Sequence, residues 1–355
     1  MSYLNFIKET EIELPRIAQK MGGEFRMEAF KGVEFPRGSG NVYEIPGTRR
    51  VAMDWTPNLI LNGGLDYYGN LTSGAFNYCL VGSDNSAPTG TQTVLGAYIA
   101  THNSTVGNVL TGAQGTPPYY GWLQKTYRFN PGFGGGDVNI NEVGIGPNSS
   151  NLLLSSRALT VDGGGTPTTV SVLADEYLDV VYKRRNYPAH ITEATGVPTD
   201  ATGTISIRGS TYNYTIRPAY VTYGGSIYVG TARGWGQGLY GEVRDSIGFN
   251  QDIYSYGVLG SATCTLGAVT AGLSAYGSGS SGGSGGAAGA YTNGTYTREI
   301  SNEWDIDSGN MTFKGLLFKG SLGAYQIVLD ATVTKIYGEV FTWYQDYTWA
   351  AKTTW

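Results

Sequence analysis

Residues 168–182 read TTVSVLADEYLDVVY, the longest run in the chain with strand chemistry. Side chains of its Val, Thr, Leu and Tyr kind pack well on a pleated, half-buried surface. The turn DGGGTP (162–167) precedes it, and before that comes the apolar run Leu152–Val161. Further upstream, VNINEVGIG (138–146) begins by alternating apolar and polar residues, the two-residue period of a half-buried strand. The same texture continues at AFNYCLVG (75–82), closed by SDNSAPTG, and at Met311–Phe318, Tyr325–Ile336 and Tyr337–Trp349. Ile205–Ile207 and Tyr212–Ile216 predict a hairpin around Gly209-Ser210. Many short strands separated by Gly, Asn and Pro turns, with no strand–helix–strand alternation, predict an all-β fold. Its expected form is a β-sandwich or jelly-roll-like domain.

Composition agrees. Of 355 residues 41% are hydrophobic and only 14% charged, and there are 54 glycines and 27 tyrosines. That glycine share is about twice the usual ~7%. Turns and half-buried strands use such residues, whereas long helices call for Ala, Leu, Glu and Lys. A net charge of −5 argues against nucleic acid as a partner, because phosphate contacts need clustered Lys and Arg. The one basic run, Lys183-Arg184-Arg185, reads as a strand end with solvated charges. Two distant cysteines, Cys79 and Cys264, make no disulfide framework and no metal signature. The N-terminus lacks an apolar core, so no signal peptide is expected, and no run is long and apolar enough for a membrane span. Synthesis in a cytoplasm without membrane insertion is the expectation.

Four regions are expected. Residues 1–50, dense in mixed charge, read as an extended N-terminal assembly arm with a short helix near Leu14–Met21. Such an arm orders against a neighbouring subunit, with Phe25, Phe30, Phe35 and Tyr43 as its contacting aromatics. Residues 51–190 form the first part of the sandwich, with Asn62-Gly63-Gly64 ending a short apolar run. Residues 191–300 hold inserted hairpins and a mobile Gly/Ser-rich loop, GSGSSGGSGGAAG (277–289). Residues 301–355 complete the sandwich. There Tyr337, Phe341, Trp343, Tyr347 and Trp349 share one parity, hence one strand face. A sandwich needs such a face for its core; an exposed aromatic surface for a partner or a sugar ring is the other reading.

Motifs for chemistry are sparse. His102 and His190 sit in no nucleophile or metal motif. The glycines at 132–136 lack the Lys-Ser/Thr of a phosphate loop and precede a strand, so they read as a turn. Asp137, Asn139 and Asn141 have the spacing of the first ligands of a calcium loop, but the Gly and Glu such a loop needs are absent. Asp305 and Asp307 form a second weak cation pair. Asp175, Glu176, Asp179, Glu299, Glu303, Asp305 and Asp307 are acidic candidates for sugar cleavage, with nothing that marks a pair. No catalytic residue, metal or cofactor is expected.

Three stretches carry a resemblance. The first is NLILNGGL (58–65) with CLVGSDNSAPTGTQTVL (79–95). The second is INEVGIG (140–146) with LLLSSRALTVDGGGTPTTVSVLADEYLDVVYKRR (152–185). The third is NEWDIDSGN (302–310) with AYQIVLDATVTKIYGEVFTWYQDYTW (324–349). In these the chain resembles virion proteins of tailed bacteriophages, of the tail, baseplate or fibre type. The resemblance implies a cofactor-free structural protein of the virion, not an enzyme, whose partners are its own copies and other virion proteins. A receptor-binding module for host-surface carbohydrate is the alternative, with Tyr119, Tyr120, Trp122 and Trp235 as contacting aromatics. A head-associated fibre or decoration protein and a polysaccharide depolymerase are lesser alternatives.

Overall fold

A computed structural model describes residues 8–70, 77–103, 105–107, 110–114, 116–187, 197, 199–219, 256–269, 273–274, 276–281, 284–320 and 323–352. Its elements are strands and one nine-residue helix. The all-β expectation holds.

The largest sheet has ten strands: β1 (Lys8–Glu13), β2 (Ile17–Glu34), β3 (Val42–Glu44), β4 (Arg50–Pro57), β8 (Leu110–Gln114), β9 (Tyr120–Phe129), β14 (Glu176–Tyr187), β19 (Ser284–Ala288), β20 (Thr297–Trp304) and β23 (Glu339–Ala351). Its main order is β19-β20-β23-β2-β14-β9-β8. A five-stranded sheet, ordered β5-β12-β11-β6-β7, contains β5 (Leu59–Ile60), β6 (Tyr78–Gly82), β7 (Tyr98–His102), β11 (Glu142–Gly146) and β12 (Ser156–Leu159). β10 (Val138–Ile140) pairs with β13 (Val170–Val172). A six-stranded sheet, ordered β15-β16-β22-β21-β17-β18, contains β15 (Ala201–Ile207), β16 (Ser210–Pro218), β17 (Tyr256–Ser261), β18 (Tyr276–Ser281), β21 (Met311–Gly320) and β22 (Gly323–Lys335).

Two cores lie against the large sheet. One joins the six-stranded sheet, through Ile207, Phe313, Tyr325 and Ile327, to Ile12, Ile17 and the aromatic stripe of β23. The stripe is paired ring by ring. Trp343 meets Trp304 edge to face at 4.2 Å, Phe341 meets Phe313 at 5.8 Å, and Trp349 meets Tyr68 at 5.3 Å. Such pairs add about 0.5–1.5 kcal/mol each beyond their buried area. The core reading of the stripe therefore holds for four of its five aromatics. Tyr337 is the exception: it lies 74% exposed in the turn before β23. The second core gathers Phe25, Met27, Val143, Ile145, Phe129, Val180 and Tyr182 between β2, β9, β14 and the five-stranded sheet.

Several expectations are corrected. Residues 8–34 are no arm. β1 and β2 run successively alongside β23, in parallel, and β2 continues between β4 and β14. No helix forms at Leu14–Met21; Leu14-Pro15-Arg16 is the break between two strands, where proline has no amide to donate. Asn62 instead opens helix α1 (Asn62–Asn70). Gly64 is needed there, since a Cβ would come within 2.2 Å of the Ser155 carbonyl oxygen. Residues 276–281 and 284–288 of the Gly/Ser segment are strands, held by β17 and β20. The predicted β15–β16 hairpin forms, its two-residue turn being Arg208-Gly209 with φ of 54° and 76°. Positive φ at both positions is what a tight hairpin turn of the right twist requires.

Candidate interaction surface

The stretches NEVGIG, SRAL and GSDNSAPTG meet in one buried polar cluster. Glu142 on β11 and Arg157 on β12 are both fully buried, with Arg157 Nε donating to Glu142 Oε2 at 2.7 Å. Glu142 also accepts from the Ala97 amide at 2.9 Å and the Asp84 and Gly96 amides at 3.3 Å. Arg157 further reaches Gln92 at 3.0 Å and Asp84 at 3.3 Å. Gly82 makes room for the carboxylate, since a Cβ there would stand 2.4 Å from Glu142 Oε1. The cluster binds both ends of segment 83–97 to the sheet.

On the large sheet, the face turned away from the cores carries alternating aromatics and charges. Lys183 Nζ lies 4.2 Å from the Trp55 ring centroid and 5.7 Å from that of Trp122. Lys183 and Arg185 both pair with Glu24, and the Arg185 guanidinium lies 4.6 Å from the Tyr120 ring centroid. Tyr120 meets Tyr187 at 5.5 Å. Of the aromatics expected to contact a sugar or partner, Tyr120 and Trp122 share this face and are half-buried, Tyr119 is half-buried just before β9, and Trp235 lies outside the described residues. Trp55 and Tyr187 join them; sequence reading missed both because pairing across β4 and β14 brings them there. The basic run is not a solvated strand end. Arg184 is buried on the opposite face over Tyr68, as alternation along a strand demands.

The four expected arm aromatics divide. Phe25 and Phe30 are buried in the body. Phe30 stacks on Tyr177 at 5.4 Å, and the guanidinium of Arg49 covers it at 4.1 Å. Phe35 and Tyr43 are 68% and 62% exposed. They belong to a hairpin, β2–β3, that runs past the last pairs on either side, Lys31 with Glu176 and Ala29 with Arg50. Val33 pairs with Tyr43, the Phe35 amide donates to Asn41, and the Ile45 amide donates to Lys31. With a two-residue period, Val33, Phe35, Tyr43 and Ile45 share one face of this hairpin. All four are exposed. The other face holds Gly32, Glu34, Val42 and Glu44, with Glu34 accepting from the Gly40 amide and Glu44 pairing with Arg49.

No protein-family model matches the chain, no curated protein matches its sequence, and no solved structure matches its fold.

The remaining chemical candidates are engaged locally. Asp137, Asn139 and Asn141 face β13 and its flanks, bonded to the Ala174 amide, the Ser171 hydroxyl and the Thr169 hydroxyl, each at 2.7 Å. Asp175 pairs with Lys31, Glu176 with Arg50, and Asp179 with both Arg128 and Arg49. Asp305 and Asp307 occupy an exposed turn after β20, where bonds from Ser308 and Asp307 hold the Asp305 carboxyl below its ordinary value. His102 lies at the end of strand β7 rather than in a loop, edge-on to Phe129 at 5.8 Å, and burial lowers its pKa. His190 lies outside the described residues.

Proposed function

We propose that the chain is a structural protein of a tailed-phage virion, of the tail, baseplate or fibre, acting through subunit assembly rather than catalysis. The single observation that carries the assembly role is the projecting hairpin with four exposed apolar side chains on one face and satisfied charges on the other. Contiguous exposed apolar surface rimmed by polar groups marks an interaction site. The virion assignment rests on the resemblance in the three stretches.

Immunogold labelling of the virions with an antibody to the recombinant chain tests the assignment. Gold at the tail or its tip is the expected result. Gold on the head would move the chain to a head fibre or decoration role, and no label on intact or disrupted particles would sink the virion reading.

The aromatic face around Trp55, Tyr120 and Trp122 favours one second reading, recognition of host-surface carbohydrate, since half-exposed rings beside charged groups stack on sugar rings. Trp122→Ala is then expected to abolish binding to host surface polysaccharide in a pull-down. Equal retention of wild type and variant would remove this reading.

A further inference from the structure

The chain carries a second exposed apolar patch, at the far end of the strand direction from the hairpin. Ile306, Ile336 and Tyr337 are 36%, 57% and 74% exposed. They sit on two turns, before β21 and before β23, joined by the Gly338 amide donating to the Ile306 carbonyl at 2.9 Å. The register places the patch and the hairpin apart. Glu339 is level with Lys8, Tyr347 with Ile17 and Ala351 with Met21, and β2 then runs on to Glu34. That is more than twenty rows, on the order of 70 Å along the strands at about 3.3 Å per residue.

The two ends are also complementary in charge. The hairpin tip, Phe35-Pro36-Arg37-Gly38, presents exposed Arg37. Its charged neighbour within the chain is Glu34. The opposite patch presents exposed Asp305 and Asp307 beside Ile306. Buried Lys335 donates to the Asp305 carbonyl and to Asn310, which offsets part of that negative charge and leaves the turn net acidic.

Building on the assembly reading, we propose that copies of this chain join head to tail. The apolar face of one hairpin (Val33, Phe35, Tyr43, Ile45) docks on Ile306, Ile336 and Tyr337 of the next copy, with Arg37 against Asp305 and Asp307. Such a contact uses different surfaces on the two copies, so it closes into a ring or continues as a filament. A contact of a hairpin with a hairpin would be self-complementary and stop at two copies. It would also bring two Arg37 side chains to the same tip.

The test uses the full chain, wild type and two blocked variants, Phe35→Asp and Tyr337→Asp, in sedimentation velocity over a concentration series. Both positions are exposed, so each variant is expected to keep the wild-type circular dichroism spectrum. Wild type is expected to form species larger than two copies as concentration rises. Each variant alone should self-associate roughly thirtyfold more weakly, the loss expected for a central apolar anchor. Mixed in equal amounts, the variants should form a complex of two chains and nothing larger, because one intact hairpin and one intact patch remain. Arg37→Glu should weaken assembly, and pairing it with Asp307→Arg should restore part of the loss. Wild type that stays monomeric to its solubility limit overturns the head-to-tail contact. So does assembly that Phe35→Asp abolishes and Tyr337→Asp leaves intact, or assembly that neither variant alters. Those failures differ from a failure of the virion assignment, which immunogold labelling reads independently.

Discussion

Replacing Arg157 by methionine removes the guanidinium from the Glu142 cluster while keeping most of the side-chain stem. Arg157 is fully buried and donates to Glu142, Gln92 and Asp84 at 2.7, 3.0 and 3.3 Å. Its loss leaves the Glu142 carboxylate equally buried, held by three backbone amides only. Removing one partner of a buried ion pair costs about 3–5 kcal/mol, mostly from the charge left behind. The three remaining amides place the expected cost near the lower end, about 3 kcal/mol. That is a large part of the ~5–15 kcal/mol that holds a typical domain together. A fall in the urea midpoint, followed by tryptophan fluorescence, reads this cost. Limited proteolysis reads its location, because segment 83–97 loses its anchor before the sheets open. The double variant Arg157→Met with Glu142→Gln removes both charges and is expected to be more stable than the sum of the two single losses, with coupling of about 1–3 kcal/mol. An Arg157→Met protein within about 0.5 kcal/mol of wild type, or strictly additive losses, would refute the reasoning and leave the pair a neutral neighbour contact.

Three other outcomes follow from the packing. Trp343→Ala removes the partner of Trp304 from a fully buried site, and a loss of about 3–5 kcal/mol is expected in thermal or urea unfolding; an unchanged melting curve contradicts the core assignment. Gly64→Ala forces a Cβ against the Ser155 carbonyl oxygen at 2.2 Å, so a loss of about 1–3 kcal/mol is expected, read as a lower melting temperature, and a neutral result would mean that α1 can move off β12. Burial alone would raise the pKa of Glu339, but hydrogen bonds from Thr10 and Arg208 carry it below its ordinary 4.5. A lowered folded-state value means that its contribution is present above about pH 4.5 and is lost as pH falls through the folded value. Glu339→Gln should therefore lower stability at pH 6 and flatten the acid limb of the stability profile; an unchanged limb counts against the linkage.

What was legible in the sequence is what has a period of one or two residues. The parity of Phe341, Trp343, Tyr347 and Trp349 foretold a buried face because a strand turns alternate side chains to one side. It also misled at Tyr337, whose parity matches but which precedes the strand. Composition misled twice. Mixed charge made residues 8–34 look like a free arm, yet Arg26 and Glu28 lie on the outer face of β2 while Phe25, Met27 and Ala29 fill the core. Gly and Ser made 277–289 look like a linker, although backbone pairing to β17 and β20 needs no side chains at all.

The candidate interaction surface was half legible for the same physical reason. Phe35 and Tyr43 belong to a single hairpin face, and VEFPRGSGNVYEI (33–45) carries its pattern openly: alternating apolar residues on either side of a Pro-Arg-Gly-Ser-Gly-Asn turn. Deciding that this face is exposed required knowing where β4 and β14 stop, and that is set by pairs between residues distant in sequence, Ala29 with Arg50 and Lys31 with Glu176. Long-range pairing also sets the Glu142 cluster and the Trp55–Lys183–Trp122 group. In each, the chemistry was visible residue by residue, but only the register of strands distant in sequence makes neighbours of those residues. A chain built almost wholly from non-local strand pairs hides its surfaces in this way. In such a fold, exposed alternation flanking a glycine-rich turn is the local signal that points most directly to a docking face.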